Sequence, residues 1–194
     1  VEVELDQGET VIAEAGVNHN GSIEMARQLV DVAVQSGADA VKFQTFTANA
    51  VVSPHAPKAE YQMRTTDGTE SQFEMIQRLE LTLEMHQNLS DYCREKGILF
   101  MSSPFDHGSV DLLDSLDVPV YKIPSGEITN LPFLAHVASK GKPMIMSTGM
   151  SDLAEVETAV ATLGEAGNRQ VALLQCVSNY PADPANANLR AMDT

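Results

Sequence analysis

Positive charge is scarce in these 194 residues: 12 Lys and Arg stand against 27 Asp and Glu, a net charge of −15. That deficit argues against nucleic acid as a partner, because gripping a phosphate backbone takes clustered cations. It argues equally against an anionic membrane surface. Long apolar runs are missing too, and none approaches the roughly 18 residues of a membrane-spanning helix. Cysteine is rare: Cys93 and Cys176 stand far apart, in no metal or redox spacing. Two buried thiols in a reducing, cytoplasmic setting are the expectation. The first ten residues are acidic and lack the basic flank and apolar stretch of a secretory signal. Since the chain opens on Val1, a trimmed start is expected. The remaining composition is that of a folded protein, with 43% hydrophobic residues, and the length suits a single core.

Short β-like runs alternate with amphipathic helical ones. Strands are predicted at 10–14, 40–46, 98–102, 120–123, 143–147 and 171–177. Ile23, Ala26, Val30, Ala33 and Val34 recur at helical spacing before Gly37. A short helix is expected around 72–79. A further one contains Met85, Leu89 and Tyr92, with Thr82 as N-cap and Gly97 as stop. Leu112, Leu113 and Leu116 mark a short helix, and Asn130 caps another that ends at Gly141. Leu153, Val156, Val160 and Leu163 form the clearest stripe, stopped by Gly167, and residues 188–194 read as the start of one more helix. Serial βα order means a parallel sheet covered by helices. No G-x-G-x-x-G follows the first strand, so dinucleotide binding is poorly supported. Polar residues gather at the C-terminal strand ends, where (β/α) barrels keep their chemistry. The fold class expected is therefore α/β, a (β/α)8 TIM barrel truncated after about six βα units. A complete barrel takes roughly 250 residues. Residues 1–194 are thus expected to be the N-terminal part of a longer catalytic domain, with strands one and six left as edges.

Period-two alternation selects the residues that share a face. One choice of face aims Glu14, Lys42, Gln44, Ser103, Lys122, Ser147, Ser178 and Tyr180 at one cavity, with Ser125 and Glu127 in the loop after strand four. Lysines inside parallel strands are costly to bury unpaired. Two on one inner face call for an anion between them, a phosphate or carboxylate, with serines as further donors. The plain alternative pairs each lysine with a glutamate such as Glu14 or Glu127. Those glutamates otherwise serve as a general base or hold a substrate hydroxyl. Gln44 and Tyr180 either orient a polyol or satisfy buried polar groups.

His19 lies in a loop beside the site, as a solvated or capping group or as a site neighbour. His55, His86 and His136 share no ligand spacing, and the expectation for a metal within this chain is none. Met63, Met75, Met85 and Met101 read as gap fillers in the core or a lid. Glu155, Glu157 and Glu165 read as a solvated helix face. The stretch 47–69 is too long for a plain connector and reads as a lid or a surface excursion.

Several blocks then resemble a known family. They are Ile12-Ala13-Glu14-Ala15-Gly16-Val17-Asn18-His19-Asn20-Gly21 and Gly37-Ala38-Asp39-Ala40-Val41-Lys42-Phe43-Gln44, followed by Ser102-Ser103-Pro104-Phe105-Asp106. Further along come Lys122-Ile123-Pro124-Ser125-Gly126-Glu127-Ile128-Thr129-Asn130, Ser147-Thr148-Gly149-Met150, and Cys176-Val177-Ser178-Asn179-Tyr180-Pro181 through Asn188-Leu189-Arg190. In this order they resemble the sialic acid synthase family, whose members make N-acetylneuraminate, legionaminate and pseudaminate. The resemblance implies a (β/α) barrel enzyme that condenses phosphoenolpyruvate with an N-acetylated hexosamine to a nine-carbon 2-keto acid and releases phosphate. It implies that Lys42, Ser103, Lys122, Ser125, Ser147 and Ser178 hold phosphoenolpyruvate. Glu14, Gln44, Glu127 and Tyr180 would hold the sugar, with Glu127 a candidate base and Lys42 and Lys122 in the catalytic set. It also implies a divalent metal, Mn2+ or Mg2+, whose histidine ligands lie beyond Thr194, a C-terminal antifreeze-like domain, and a homodimer at full length. On this reading residues 1–194 alone are inactive, and the substrate leans to the legionaminic type. Two rivals remain: a Schiff-base aldolase using Lys42 or Lys122, and a non-catalytic sugar- or phosphate-binding barrel.

Overall fold

The computed structural model describes residues 9–53, 56, 71–179 and 182–194. These fall into two compact units, one up to Leu112 and one from Leu113 to Thr194. In the first, β1 (Ile12–Gly16), β2 (Ala40–Thr45) and β3 (Leu99–Pro104) form a parallel sheet in that order. Helices α1 (Ile23–Gln35), α2 (Ala48–Val51), α3 (Gln72–Gln77) and α4 (Leu83–Lys96) connect them, and α5 (His107–Ser115) spans the unit boundary. In the second, β4 (Tyr121–Ile123), β5 (Met144–Ser147) and β6 (Val171–Leu174) form another parallel sheet, linked by α6 (Leu131–Ala138) and α7 (Leu153–Glu165). The serial parallel α/β order is the one expected.

Local chemistry explains the boundaries. Thr82 accepts from the Met85 N–H at 3.2 Å, and Gly97 closes α4 in the left-handed region. Asn130 caps α6 by accepting from the Phe133 N–H. Ser71 and Glu74 close a reciprocal capping box on α3. Gly37, Gly97, Gly141 and Gly167, the four expected stops, all have positive φ. The helix-facing side of the first sheet buries Phe43 and Phe100, whose rings stack at 5.9 Å. α1 is tied to α4 through Tyr92, which donates to Asp31 and lies under the Arg27 guanidinium at 4.7 Å.

Three expectations need correction. β1 starts at Ile12, not at 10, because the Asp39 carboxylate takes the Val11 N–H at 2.7 Å, and it runs on to Gly16 through an irregular register after Glu14. β6 stops at Leu174, not at 177. The Leu174 carbonyl accepts from both the N–H and the hydroxyl of Thr148, at 3.0 Å each, and the chain then leaves the ladder. The C-terminal segment forms only a 3-10 turn, Leu189–Asp193, after Asn188 takes a left-handed conformation. Met63 and most of the expected lid at 47–69 lie outside the described residues. No helix among the described residues is long and apolar enough to cross a membrane.

Candidate functional site

Four of the predicted residues meet at the C-terminal ends of the first sheet. Register places Glu14 beside Lys42 and Gln44 beside Ser103. The Lys42 ammonium is ion-paired with the Glu14 carboxylate and lies 3.5 Å from the Ser103 hydroxyl. For this lysine the plain pairing with glutamate is what the structure shows. Lys42 is largely buried and Glu14 half exposed, so the carboxylate is the member of the pair that faces solvent. Gly16 makes room for it: a Cβ there would lie 3.1 Å from a Glu14 carboxylate oxygen and 3.8 Å from the Gln44 amide nitrogen.

The second unit carries the other residues. Lys122 is 7% exposed and donates to the Ser147 hydroxyl oxygen at 2.6 Å and the Ile123 carbonyl at 2.8 Å. Because Ser147 accepts from an ammonium, its own O–H is polarised towards donating. Ser125 sits in the 3-10 turn after β4; its Oγ accepts from the Gly149 N–H at 3.0 Å and lies 3.2 Å from Cys176 Sγ. The Ser178 hydroxyl flanks Gly149 from the chain beyond β6. Ser178 and Cys176 therefore reach the cluster from a loop, not from strand alternation. Glu127 accepts from the Asn130 amide at 2.8 Å, and Asn130 is itself fixed as the cap of α6. Tyr180 lies outside the described residues. Both sets can bind an anion: each offers an ammonium with a serine hydroxyl beside it.

Sequence reasoning missed Gly149 and Cys176. Of the two thiols expected to be buried, Cys93 is, and burial pushes its pKa up to about 12. Cys176 is only half buried and joins the Ser125 cluster. Neither signal is visible without the loop geometry. Among the described residues no group of three or more His, Cys, Asp or Glu is placed to hold a metal ion.

On the helix-facing side of the first sheet lies a buried polar set of His19, His86, Thr45 and Ser102. His19 is not solvated. Its Nδ1 accepts from the Gly21 N–H at 3.0 Å, so Nε2 carries the proton, and it meets no partner among the described residues. Burial lowers the pKa of both imidazoles, and the nearby His86 lowers that of His19 further. A lowered folded-state pKa means that the unfolded chain takes up protons first as pH falls through about 6.5. Stability is then complete above that pH and declines below it. Melting curves between pH 8 and pH 5 should show a falling Tm below pH 6.5, and His86→Gln should flatten the fall. A Tm constant over the whole range would contradict the burial of both rings.

Comparison with known proteins agrees with this arrangement. The chain is 51% identical to N,N'-diacetyllegionaminic acid synthase of Legionella pneumophila and 48% identical to that of Campylobacter jejuni, over 95% of its length in both cases. It covers 53% and 56% of those proteins, so it spans about half the length of the curated relatives it matches. Among solved structures, the N-acetylneuraminic acid (sialic acid) synthetase of Leptospira borgpetersenii, crystallised with citrate, matches with a TM-score of 0.80 and 30% identity. That match covers 95% of this chain and 60% of the other. It supports the barrel class inferred from the serial parallel units. The NeuB family model matches residues 29–194, and the chain belongs to the NeuB family.

Proposed function

We propose that this chain is the N-terminal part of a (β/α)8 catalytic domain that condenses phosphoenolpyruvate with an N-acetylated hexosamine to a nine-carbon 2-keto acid, releasing phosphate. The observation that carries the proposal is one strand lysine in each unit, Lys42 largely buried and Lys122 buried, each beside a serine hydroxyl at a C-terminal strand end. By the resemblance of their motifs, Lys42, Ser103, Lys122, Ser125, Ser147 and Ser178 are assigned to phosphoenolpyruvate. Glu14, Gln44, Glu127 and Tyr180 take the sugar. C3 of the enolpyruvyl group attacks the open-chain aldehyde carbon: the C2–C3 π electrons form the C–C bond, the aldehyde C=O π bond opens, and its oxygen takes up a proton to become a hydroxyl. Water adds at C2 with loss of a proton, for which Glu127 is the base, and phosphate departs with C–O cleavage. The ammonium groups and polarised hydroxyls stabilise the anionic phosphate and carboxylate as charge shifts. The two relatives that are 48% and 51% identical over the matched stretch are both N,N'-diacetyllegionaminic acid synthases, which favours a 2,4-diacetamido sugar over N-acetylmannosamine.

The same proposal assigns the last barrel strands, an antifreeze-like domain and the ligands of a divalent cation, Mn2+ or Mg2+, to residues outside 1–194. The described residues do not fit a metal centre, and no role here runs through one. β6 pairs only with β5 among the described residues. Leu173 on it and Val160 on α7 are partly exposed along a groove, and Leu174 is partly exposed as well, as expected where further βα units pack. Residues 1–194 alone would then be inactive, and the full-length protein a cytoplasmic homodimer. The test is phosphate release from phosphoenolpyruvate by the full-length protein, offered each sugar separately with manganese or with EDTA. Metal-dependent release with one sugar is expected; no release with any sugar from folded protein would overturn the reading.

A further inference from the structure

We infer that His86 is a positioning residue: through Thr45 and Ser102 it fixes the ends of β2 and β3 that present Gln44 and Ser103. The importance of those two side chains rests on the function proposed above; the relay itself does not.

The direction of every bond in the relay follows from donor chemistry. His86 lies in the first turn of α4, and its Nδ1 is 2.9 Å from the Thr82 carbonyl. A carbonyl only accepts, so Nδ1 carries the proton. In the neutral ring Nε2 is then an acceptor. Its partner, at 2.8 Å, is the Thr45 hydroxyl, which must give its single proton there. Ser102 Oγ lies 2.6 Å from the same Thr45 oxygen and so must donate to it. Donation runs one way, from Ser102 to Thr45 to His86 to the Thr82 carbonyl. Ser102 is 1% exposed, Thr45 3% and His86 0%, so water does not compete for these groups.

Its place in the sheet gives the relay its consequence. Ser102 lies opposite Phe43, Ser103 opposite Gln44, and Pro104 opposite Thr45. Alternation puts Thr45 and Ser102 on the helix side and Gln44 and Ser103, their chain neighbours, on the other side. Pro104 brings no N–H to the ladder. Beyond the ladder pairing of Thr45 with Pro104, β2 is held to β3 at this level by the Phe105 N–H on the Thr45 carbonyl at 3.1 Å and by the hydroxyl relay. Loss of the relay frees the strand ends one residue from Gln44 and Ser103 without touching either.

The test uses the full-length protein with Thr45→Val, Thr45→Ser, His86→Leu and His86→Gln. Thr45→Val and His86→Leu should raise KM about tenfold with little change in kcat, the mark of misplaced binding groups rather than of lost folded protein. Thr45→Ser and His86→Gln, which keep the donor and the acceptor, should stay within about threefold of wild type. A folded Thr45→Val with wild-type KM for both substrates would overturn the inference. So would ring-nitrogen NMR of the wild type showing the proton of His86 on Nε2. If the wild type turns over no substrate, the proposed function fails, and hydrogen exchange then judges the relay. Thr45→Val should lose protection at 44–46 and 102–105 but keep it in β1; unchanged protection overturns the inference.

Discussion

Lys122→Ala in the full-length protein is expected to lower kcat/KM for phosphate release about a thousandfold while leaving Tm unchanged or raised. The two halves of that outcome share one cause. Holding an ammonium at 7% exposure costs solvation free energy, so replacing it with a methyl group removes a cost of folding. The same burial makes the cation effective, since a charge in a site of low polarisability acts on a bound anion with little screening. Ser147 depends on it too: without the ammonium at 2.6 Å, its hydroxyl loses the polarisation that makes it a strong donor. Phosphate release measured with saturating sugar, together with thermal melting, checks both halves. Lost activity with a large fall in Tm would point to a structural lysine. Retained activity would take Lys122 out of the mechanism.

The same geometry weighs against a Schiff-base aldolase. A nucleophilic lysine needs its nitrogen free to reach a carbonyl carbon. Lys42 is ion-paired with Glu14, and Lys122 donates to a carbonyl and to a hydroxyl oxygen, so both nitrogens are already held by oxygen partners. Borohydride with pyruvate should therefore trap no adduct.

Much of this was legible in the sequence because local signals agreed with one another. Thr82, Asn130 and the four stop glycines each act within a few residues of the boundary they set, so the alternating pattern could be cut correctly. Period two correctly put Lys42 with Glu14, and Gln44 with Ser103, because those residues lie on paired ladders. The failures share a physical origin. After the polar Gln175 the apolar Cys176 and Val177 let the pattern run on to 177, whereas the Leu174 carbonyl is taken by Thr148, 26 positions away, and the strand ends there. Ser178 was therefore assigned a strand face although it reaches the cluster from a loop. His86 looked unremarkable because its partner Thr45 is 41 residues earlier. Tertiary contacts of that range leave no periodic trace.

Gly149→Ala is the second large effect, expected to lower kcat/KM for phosphoenolpyruvate about a hundredfold and to destabilise by about 1–3 kcal/mol. Its φ is not positive, so alanine meets no left-handed backbone penalty. The conflict is one of space. A Cβ here would run into the Ser178 hydroxyl and lie 3.0 Å from both Cys176 Sγ and Ser125 Oγ. Serine side chains can often swing aside, but Ser125 is held by the N–H of Gly149 itself at 3.0 Å, and moving it breaks that bond. The added methyl therefore displaces the serines assigned to phosphoenolpyruvate without removing any of them. A double-mutant cycle isolates this effect. Ser178→Ala removes the nearest obstacle, so it should cost clearly less in the Gly149→Ala background than in the wild type. Strict additivity of the two substitutions, or an unchanged KM in Gly149→Ala, would mean that Ser178 and Ser125 do not crowd this glycine in the working enzyme. Coupling with a raised KM would place the Gly149 cluster in contact with the anionic substrate.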